Sequence, residues 1–306
     1  VRIVVNLGGE AVARPRPPRD LVAEAVAAER DGLTEAWSVH FSRSSDSLAG
    51  LAAAAAVTSR IRLGVGVVPT YPRHPAALAQ SALTLQSLSG GRFSLGVGVS
   101  HRPVIEDMHG LDYSHPLGHL REYLTVLTAL LRTGEVSFVG ERYRVQMSVA
   151  VPDATPVPVL VGALSHGTSR LAGELADGVV TWLAGPRALA EVVVPAVTSA
   201  AAAAGRPQPR VVAAVPVAVD PDAGRARRAA GEIFARYGAL RNYRRLFERE
   251  GVDGAAELAA VGDAATVERR LRSLLDAGAT DVWAVPFPTS ADAGLTTELL
   301  RNLATT

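Results

Sequence analysis

The sequence predicts a single (β/α)8 barrel, and three observations carry that reading. Short apolar strands alternate with alanine- and leucine-rich helical segments from one end of the chain to the other. Eight strand–helix pairs can be counted, and the strands are continuous apolar runs, as expected where both faces of a parallel sheet are buried. The 306 residues contain no break in composition, so one domain over 1–306 is expected. Eight units in about 250 residues or more suit a closed barrel better than an open, doubly wound sheet.

The elements follow in order. "VRIVVNL" reads as the first strand, followed by the loop "GGEAVARPRPPR" and a helix capped by Asp20. "TEAWSVHF" is the second strand and "DSLAGLAAAAAVTS" its helix. The third pair is "IRLGVGVVP" and "PAALAQSALTLQSLSGG", whose two glycines stop the helix. After the fourth strand, "RFSLGVGVS", regularity lapses over residues 101–156 into a His- and Pro-rich loop, a helix and a hairpin, "EVSFVGERYRV". Alternation resumes with "VPVLVGA", "SRLAGELA" and "DGVVTWL", then "RALAEVVVPAVTSAAAAAG" and "PRVVAAVPVAV". An arginine-rich helical region runs to about residue 260, before the helix "DAATVERRLRSLLDAG" and the last strand, "TDVWAVPF". Residues 101–156 and 220–262 are therefore insertions, after strands four and seven.

Composition excludes several chemistries. The chain has no cysteine, hence no disulfide, iron–sulfur cluster, thiolate zinc site or cysteine nucleophile. It has no lysine either, so all 31 basic residues are arginine. Schiff-base catalysis and lysine-bearing phosphate loops are thereby ruled out. A net charge of +1 gives no field to attract nucleic acid or an anionic membrane. No apolar run is long enough to span a bilayer and the first residues do not read as a signal peptide, so a cytoplasmic location is expected.

Function in this fold gathers at the C-terminal ends of the strands. Those ends supply Gly8, His40, Gly66 to Pro69, Ser100 with His101, Gly162 with Ala163, Trp182 and Phe287. Two of the strands share the pentapeptide LGVGV, at Leu63–Val67 and Leu95–Val99. Side chains alternate along a strand, so Leu63, Val65 and Val67 should face one way while Gly64 and Gly66 leave the other face bare. The space is for a ligand or for another part of the barrel.

Taken together, "RHPAALAQSALTLQSLSGGRFSLGVGVSHRP", "GHLREYLTVLTALL", "LVGALSHGTSRLAGELADGVV" and "VGDAATVERRLRSLLDAGATDVWAVPF" resemble the luciferase-like flavin and deazaflavin oxidoreductases over nearly the whole chain. The "GVSHRP" turn is closer to the branch that uses coenzyme F420 than to the FMN-dependent monooxygenases. The resemblance implies F420 as cofactor (FMN as the alternative), a small-molecule substrate and a homodimer. It implies a β-bulge with a non-proline cis peptide at Gly66–Val67, supporting the cofactor ring, against the plainer reading that the glycines only make room. It also places a histidine, His40, beside the ring, where an imidazole can pass a proton at neutral pH. The acidic residue that often precedes this histidine is replaced by Val39. A strand-end histidine bonded to nearby backbone is the other reading of His40.

Further cofactor contacts are expected from Ser100 and His101, and from Gly162, Ala163, Gly167 and Thr168 if the helix starting near Ser165 holds a phosphate. Ordinary capping by Ser165 or Thr168 explains the same residues. Gly178 and Val179 match a neighbouring family contact. Val39, Met108, Trp182 and Phe287 are the expected substrate-pocket wall, and Arg14, Arg16 and Arg19 a cationic rim suited to the cofactor's acidic tail. "RNYRRLFERE" is an amphipathic surface helix or a lid. His101, His109, His115 and His119 form a cluster, but Pro116 interrupts it and no HExxH pattern is present, so no metal site is expected. The alternatives to an F420-dependent hydride transfer are an FMN-dependent monooxygenase, a metal-dependent hydrolase using that cluster, and a cofactor-free binding protein.

Overall fold

Helices and strands alternate around a closed, all-parallel sheet in the computed structural model, which describes residues 2–8 and 16–305. In chain order the elements are β1 (Ile3–Leu7), α1 (Pro18–Arg30), β2 (Glu35–Ser38), α2 (Ser47–Val57), β3 (Arg62–Pro69), α3 (Pro75–Leu88) and β4 (Phe93–Gly98). A π-turn at Val104–Met108 leads to α4 (Pro116–Thr133) and the hairpin β5 (Glu135–Val139) and β6 (Arg144–Ser148). Next come β7 (Val159–Gly162), α5 (His166–Leu175), β8 (Gly178–Trp182), α6 (Pro186–Ala188), a second π-turn, α7 (Val194–Ala203) and β9 (Arg210–Val219). The chain ends with α8 (Ala223–Phe234), a 3-10 turn (Ala235–Ala239), α9 (Arg241–Glu250), α10 (Ala255–Leu258), β10 (Ala260–Gly262), α11 (Ala264–Asp276), β11 (Asp281–Pro286) and α12 (Ala293–Thr305).

Strands β9, β11, β1, β2, β3, β4, β7 and β8 pair in that order, and β8 pairs back onto β9 to close the barrel. This is the (β/α)8 architecture expected from the sequence, with the hairpin inserted after β4 and the helices α8 to α10 after β9. Two expectations need correction. The arginine-rich region does not stay helical to its end: Ala260–Gly262 forms a short strand on β9. Strand β9 is ten residues long, and β8 pairs only with its first half, so β10 covers the edge that β8 leaves open. Nor is Asp20 the cap of α1. Pro17 is the N-cap and Pro18 the first helical residue, its ring already set at a helical φ, which puts Asp20 inside the first turn.

The core has two parts. Leu and Val side chains on the outer strand faces pack under the helices, whereas Val4, Trp37, Leu160, Val180, Val212, Ala214, Trp283 and Val285 fill the barrel interior. The interior is floored by ions at the N-terminal ends of the strands. Arg210 donates to Glu35 (2.8 Å) and to Asp281 (2.9 Å), and Glu35 also accepts from Trp37 Nε1 at 2.7 Å. Arg62 reaches the same carboxylate at 3.1 Å. Both acids are buried, so their paired partners are what makes the floor tolerable.

The repeated pentapeptide fits into this interior. A Cβ on Gly64 would strike the Trp37 indole, and one on Gly66 would lie 2.5 Å from Trp283 Cζ3. The bare face of β3 therefore receives two indoles, whose ring centroids are 5.5 Å apart. Strict alternation fails beyond Val65. The β3–β4 register shifts between Val65 and Val68, the Gly66–Val67 peptide is cis, and Val67 joins the interior cluster while Val68 packs outward. A bulge of this kind re-aims side chains at a strand end. In the second LGVGV, a Cβ on Gly98 would come within 2.8 Å of Val67 Cγ2, so the glycines of β4 accommodate the displaced valine.

Candidate active site

At the C-terminal mouth of the barrel, the end of β2 carries His40. Its Nδ1 is 2.8 Å from the hydroxyl of the buried Ser47, at the start of α2. Nε2 makes no hydrogen bond to any described residue. Burial lowers the pKa of the ring; nearby Asp46 acts in the opposite direction and Arg73 adds to the lowering. The imidazole is thus neutral at neutral pH. The partner of Nδ1 is thus a side-chain hydroxyl and not a backbone group.

Sequence reading missed the pair that accompanies this histidine. Asp46 caps α2 through Leu48 N–H and accepts a 2.6 Å bond from Arg73, in the loop after β3. Burial alone would raise the Asp46 pKa, but Arg73 and the Leu48 N–H hold it below the usual carboxylate range. His40, Phe41, Ser42, Ser44, Asp46, Val68, Pro69, Pro72, Arg73 and His109 line a cleft of about 210 Å³ between the two loops. An acid thus stands near His40 at the start of the next helix, bonded to Arg73 and the Leu48 N–H and not to the imidazole itself. The aspartate before an apolar helical run was the available signal.

Inside the mouth, Val39, Val67 and Trp182 come together on the interior cluster, and Gly162 faces Val67, with a Cβ there at 3.4 Å. Asn6, which the sequence reading passed over, sits on β1 opposite Trp37. Its Oδ1 and Trp182 Nε1 are buried without hydrogen-bond partners. Buried polar atoms are rarely left unpaired, and Trp283 Nε1, deeper in the same interior, is a third. The signal for Asn6 was a single amide in an otherwise apolar strand.

The other expected residues divide. Ser100 adopts φ 60° at the end of β4 and its carbonyl accepts from Tyr113 Oη at 3.0 Å. His101 follows it, with its ring 5.8 Å from that of Tyr243 and its pKa lowered by burial and then by Arg236. Phe287 packs edge-on to Phe234, and Phe234 packs against Trp182, so the insertion after β9 roofs part of the mouth with aromatic rings. "RNYRRLFERE" is α9, with Tyr243, Leu246 and Phe247 buried and Tyr243 packed against Tyr237 as part of that roof.

At the start of α5, Ser165 and Thr168 form a reciprocal capping box, and the Ala163 N–H donates to Val180. The N–H groups of Ala163 and Thr168 are thereby already satisfied by the protein, which leaves those of His166 and Gly167 as the open donors of the first turn. Gly178 and Val179 require correction. They begin β8, and Gly178 packs against the Arg210 backbone at the ionic floor, the opposite end of the barrel from His40. A glycine is needed there because its φ of 158° and the adjacent carbonyl leave no room for a side chain. Met108 also departs from expectation: it is exposed on the π-turn and does not line the cleft, where its neighbour His109 stands instead.

The histidines of residues 101–119 are not gathered. His115 adopts a left-handed conformation ahead of α4, whereas His119 is buried, 2.9 Å from Thr70 Oγ1 and stacked on Tyr71. Among the described residues, no group of three or more His, Asp or Glu side chains is placed to hold a metal ion. Arg14 lies outside the described residues. Arg16 pairs with Glu24 and Asp20.

A closed parallel barrel with a bulged third strand and a histidine at the end of the second defines a recognisable class. The family model of the luciferase-like monooxygenases matches residues 3–281, and the chain belongs to that family. It is 32% identical to the F420-dependent glucose-6-phosphate dehydrogenase of Beutenbergia cavernae, covering 87% of this chain and 82% of that protein. It is 31% identical to the 5,10-methylenetetrahydromethanopterin reductase of Methanolobus tindarius, over 75% of this chain and 70% of the reductase. Its fold superposes on the coenzyme F420-dependent tetrahydromethanopterin reductase of Methanopyrus kandleri with a TM-score of 0.78, at 23% identity over 99% and 96% of the two chains. An F420-dependent secondary alcohol dehydrogenase gives 0.79, at 19% identity over the full length of both chains. Among the described residues, no helix is long and apolar enough to cross a membrane.

Proposed function

We propose that this chain is a coenzyme F420-dependent oxidoreductase, which moves a hydride between the deazaflavin and a small organic substrate at a C=C, C=N or C–OH group. The observation that carries the reading is the pairing of His40 with the Gly66–Val67 bulge at adjacent strand ends, in a chain with an F420-dependent glucose-6-phosphate dehydrogenase among its relatives.

The residues at the mouth fit such a cofactor. Val67, raised by the bulge between side-chain-free Gly98 and Gly162, offers an apolar platform for a flat ring. Asn6 Oδ1 and Trp182 Nε1 supply an acceptor and a donor for its polar edge. Ser100 and His101 border the same opening, and the first turn of α5 at Gly167 is available to a phosphate. When bound, the deazaflavin would give or take the hydride, which carries both electrons of the reaction.

The protein orients, encloses and moves a proton. His40 is held at Nδ1 by Ser47, which leaves Nε2 to give or take the proton that accompanies hydride transfer. Its neutral state at neutral pH suits it first to accepting that proton. The aromatic roof of Phe234, Tyr237 and Tyr243 limits the access of water above Trp182 and His101. We further propose a homodimer as the working assembly.

Titration with F420, and separately with FMN, tests the reading through the fluorescence of Trp37, Trp182 and Trp283. Saturable binding of F420 alone at micromolar concentrations is expected. A preference for FMN, or binding of neither by folded protein, overturns it.

A further inference from the structure

One cation at the mouth has no role in the site as described. Arg236 lies in the 3-10 turn that follows α8, and its guanidinium stands over two rings. Its Cζ is 5.6 Å from the centroid of Phe41, the residue after His40, and 5.2 Å from that of Tyr237. Nη2 is 3.4 Å from Tyr237 Oη. Tyr237 packs edge-on against Tyr243, with 4.6 Å between centroids, and Tyr243 packs against His101. Arg236 thus bridges the insertion after β9 to the end of β2, with the end of β4 close by.

Among the described residues, no carboxylate lies within ion-pair distance of this guanidinium. Its flat faces rest on aromatic rings, which hold an exposed, long side chain in place; apart from the long Nη2 bond to Tyr237 Oη, its edge N–H groups have no protein partner among the described residues. That edge is a planar fork of donors, and the anion that matches it is a carboxylate, through two parallel hydrogen bonds. The positive charge also reaches inward, because it contributes to lowering the pKa of His101.

We propose that Arg236 is a specificity-determining residue, and that the substrate is a small molecule bearing a carboxylate, held by Arg236 with the reacting carbon toward His40. The inference rests on the reading of His40 as the proton-transfer residue. The carboxylate is assigned to the substrate, not to an acidic cofactor tail, because Arg236 stands over Phe41, the residue next to His40 at the end of β2. The phosphate-facing turn of α5 belongs to the end of β7.

Benzoate and benzamide, alike in shape but differing in charge, are suitable probes. Each is titrated calorimetrically into the full chain, with and without F420, for the unmodified protein, Arg236→Gln and Arg236→Lys. Saturable binding of benzoate but not benzamide is expected. Arg236→Gln should weaken benzoate roughly tenfold or more, and Arg236→Lys should recover part of the loss. F420 affinity and thermal midpoint should stay unchanged in both variants. Absence of benzoate binding, equal binding of the two probes, or indifference of benzoate to Arg236→Gln overturns the proposal. Loss of F420 affinity in Arg236→Gln overturns it too, by assigning the residue to the cofactor tail. If Arg236→Gln does not fold, Arg236→Lys must by itself weaken benzoate and spare F420. Because the probes are read without F420 as well, failure here leaves the cofactor assignment standing, and failure of F420 to bind leaves this test readable.

Discussion

The indole of Trp283 occupies the space that a side chain at residue 66 would need: a Cβ built on Gly66 lies 2.5 Å from its Cζ3. Gly66→Ala should therefore overpack the barrel interior and cost about 1–3 kcal/mol. Urea denaturation measures the loss, and Trp283→Phe in the same chain should return part of it. Equal stability of Gly66→Ala and the unmodified protein would show that the indole moves freely.

Glu35 is the hinge of the ionic floor, because it accepts from Arg210, Arg62 and the Trp37 indole. Glu35→Ala leaves the buried Trp37 N–H unpaired and Arg210 held by Asp281 alone, at a cost of about 1–3 kcal/mol. Glu35→Gln should cost less, since its amide oxygen still accepts from Trp37. Chemical denaturation separates the two. A loss under about 1 kcal/mol in Glu35→Ala, the range of an exposed pair, would contradict the buried floor.

His40→Gln should lower kcat/KM by about a hundred- to ten-thousand-fold while leaving F420 affinity little changed. Ser47→Ala, which removes only the partner of Nδ1, should have a smaller effect in the same direction. Steady-state kinetics beside F420 titrations make the comparison. If His40→Gln lost cofactor affinity but kept its turnover, the residue would be a binding group only.

Acid should destabilise the protein before neutral conditions do. Burial lowers the pKa of His40, His101 and His119, the last to about 4 from the ordinary imidazole value of 6.5. Each ring binds its proton more weakly folded than unfolded, so their stabilising contribution is present above the unfolded value and is lost as pH falls through the folded one. The thermal midpoint should hold above about pH 6.5 and decline toward pH 4. His119→Gln should flatten that decline, and an unchanged profile would count against the assignment. Asp46, held low by Arg73, adds its loss only at lower pH.

The barrel was legible in the sequence because its strands are buried on both faces and its helices are bounded by proline, aspartate and glycine. What escaped was contact between distant segments. Leu63–Val67 shows two bare positions, but not that Trp37 and Trp283 fill them, or that the bulge turns Val67 inward. Asp46 reads as a helix cap, and only the fold brings Arg73 to it and sets both beside His40. Gly178 failed for the converse reason. A resemblance between short motifs does not record which end of a strand a residue occupies, and its glycine is explained by the Arg210 backbone. Strand β10 is three residues long, too short to show a period.

The ionic floor also constrains how the chain can be divided. Glu35 and Arg62 come from its first third, whereas Arg210 and Asp281 come from its last. A fragment that stops before β9 would carry a buried carboxylate with only the half-exposed Arg62 to answer it, and a fragment that starts at β9 would hold Arg210 and Asp281 without Glu35. Each half keeps one acid and one arginine, and what either alone lacks is the Arg210–Glu35 contact that crosses between them. The floor is thereby a clasp between the two ends of the chain, closed only when both are present.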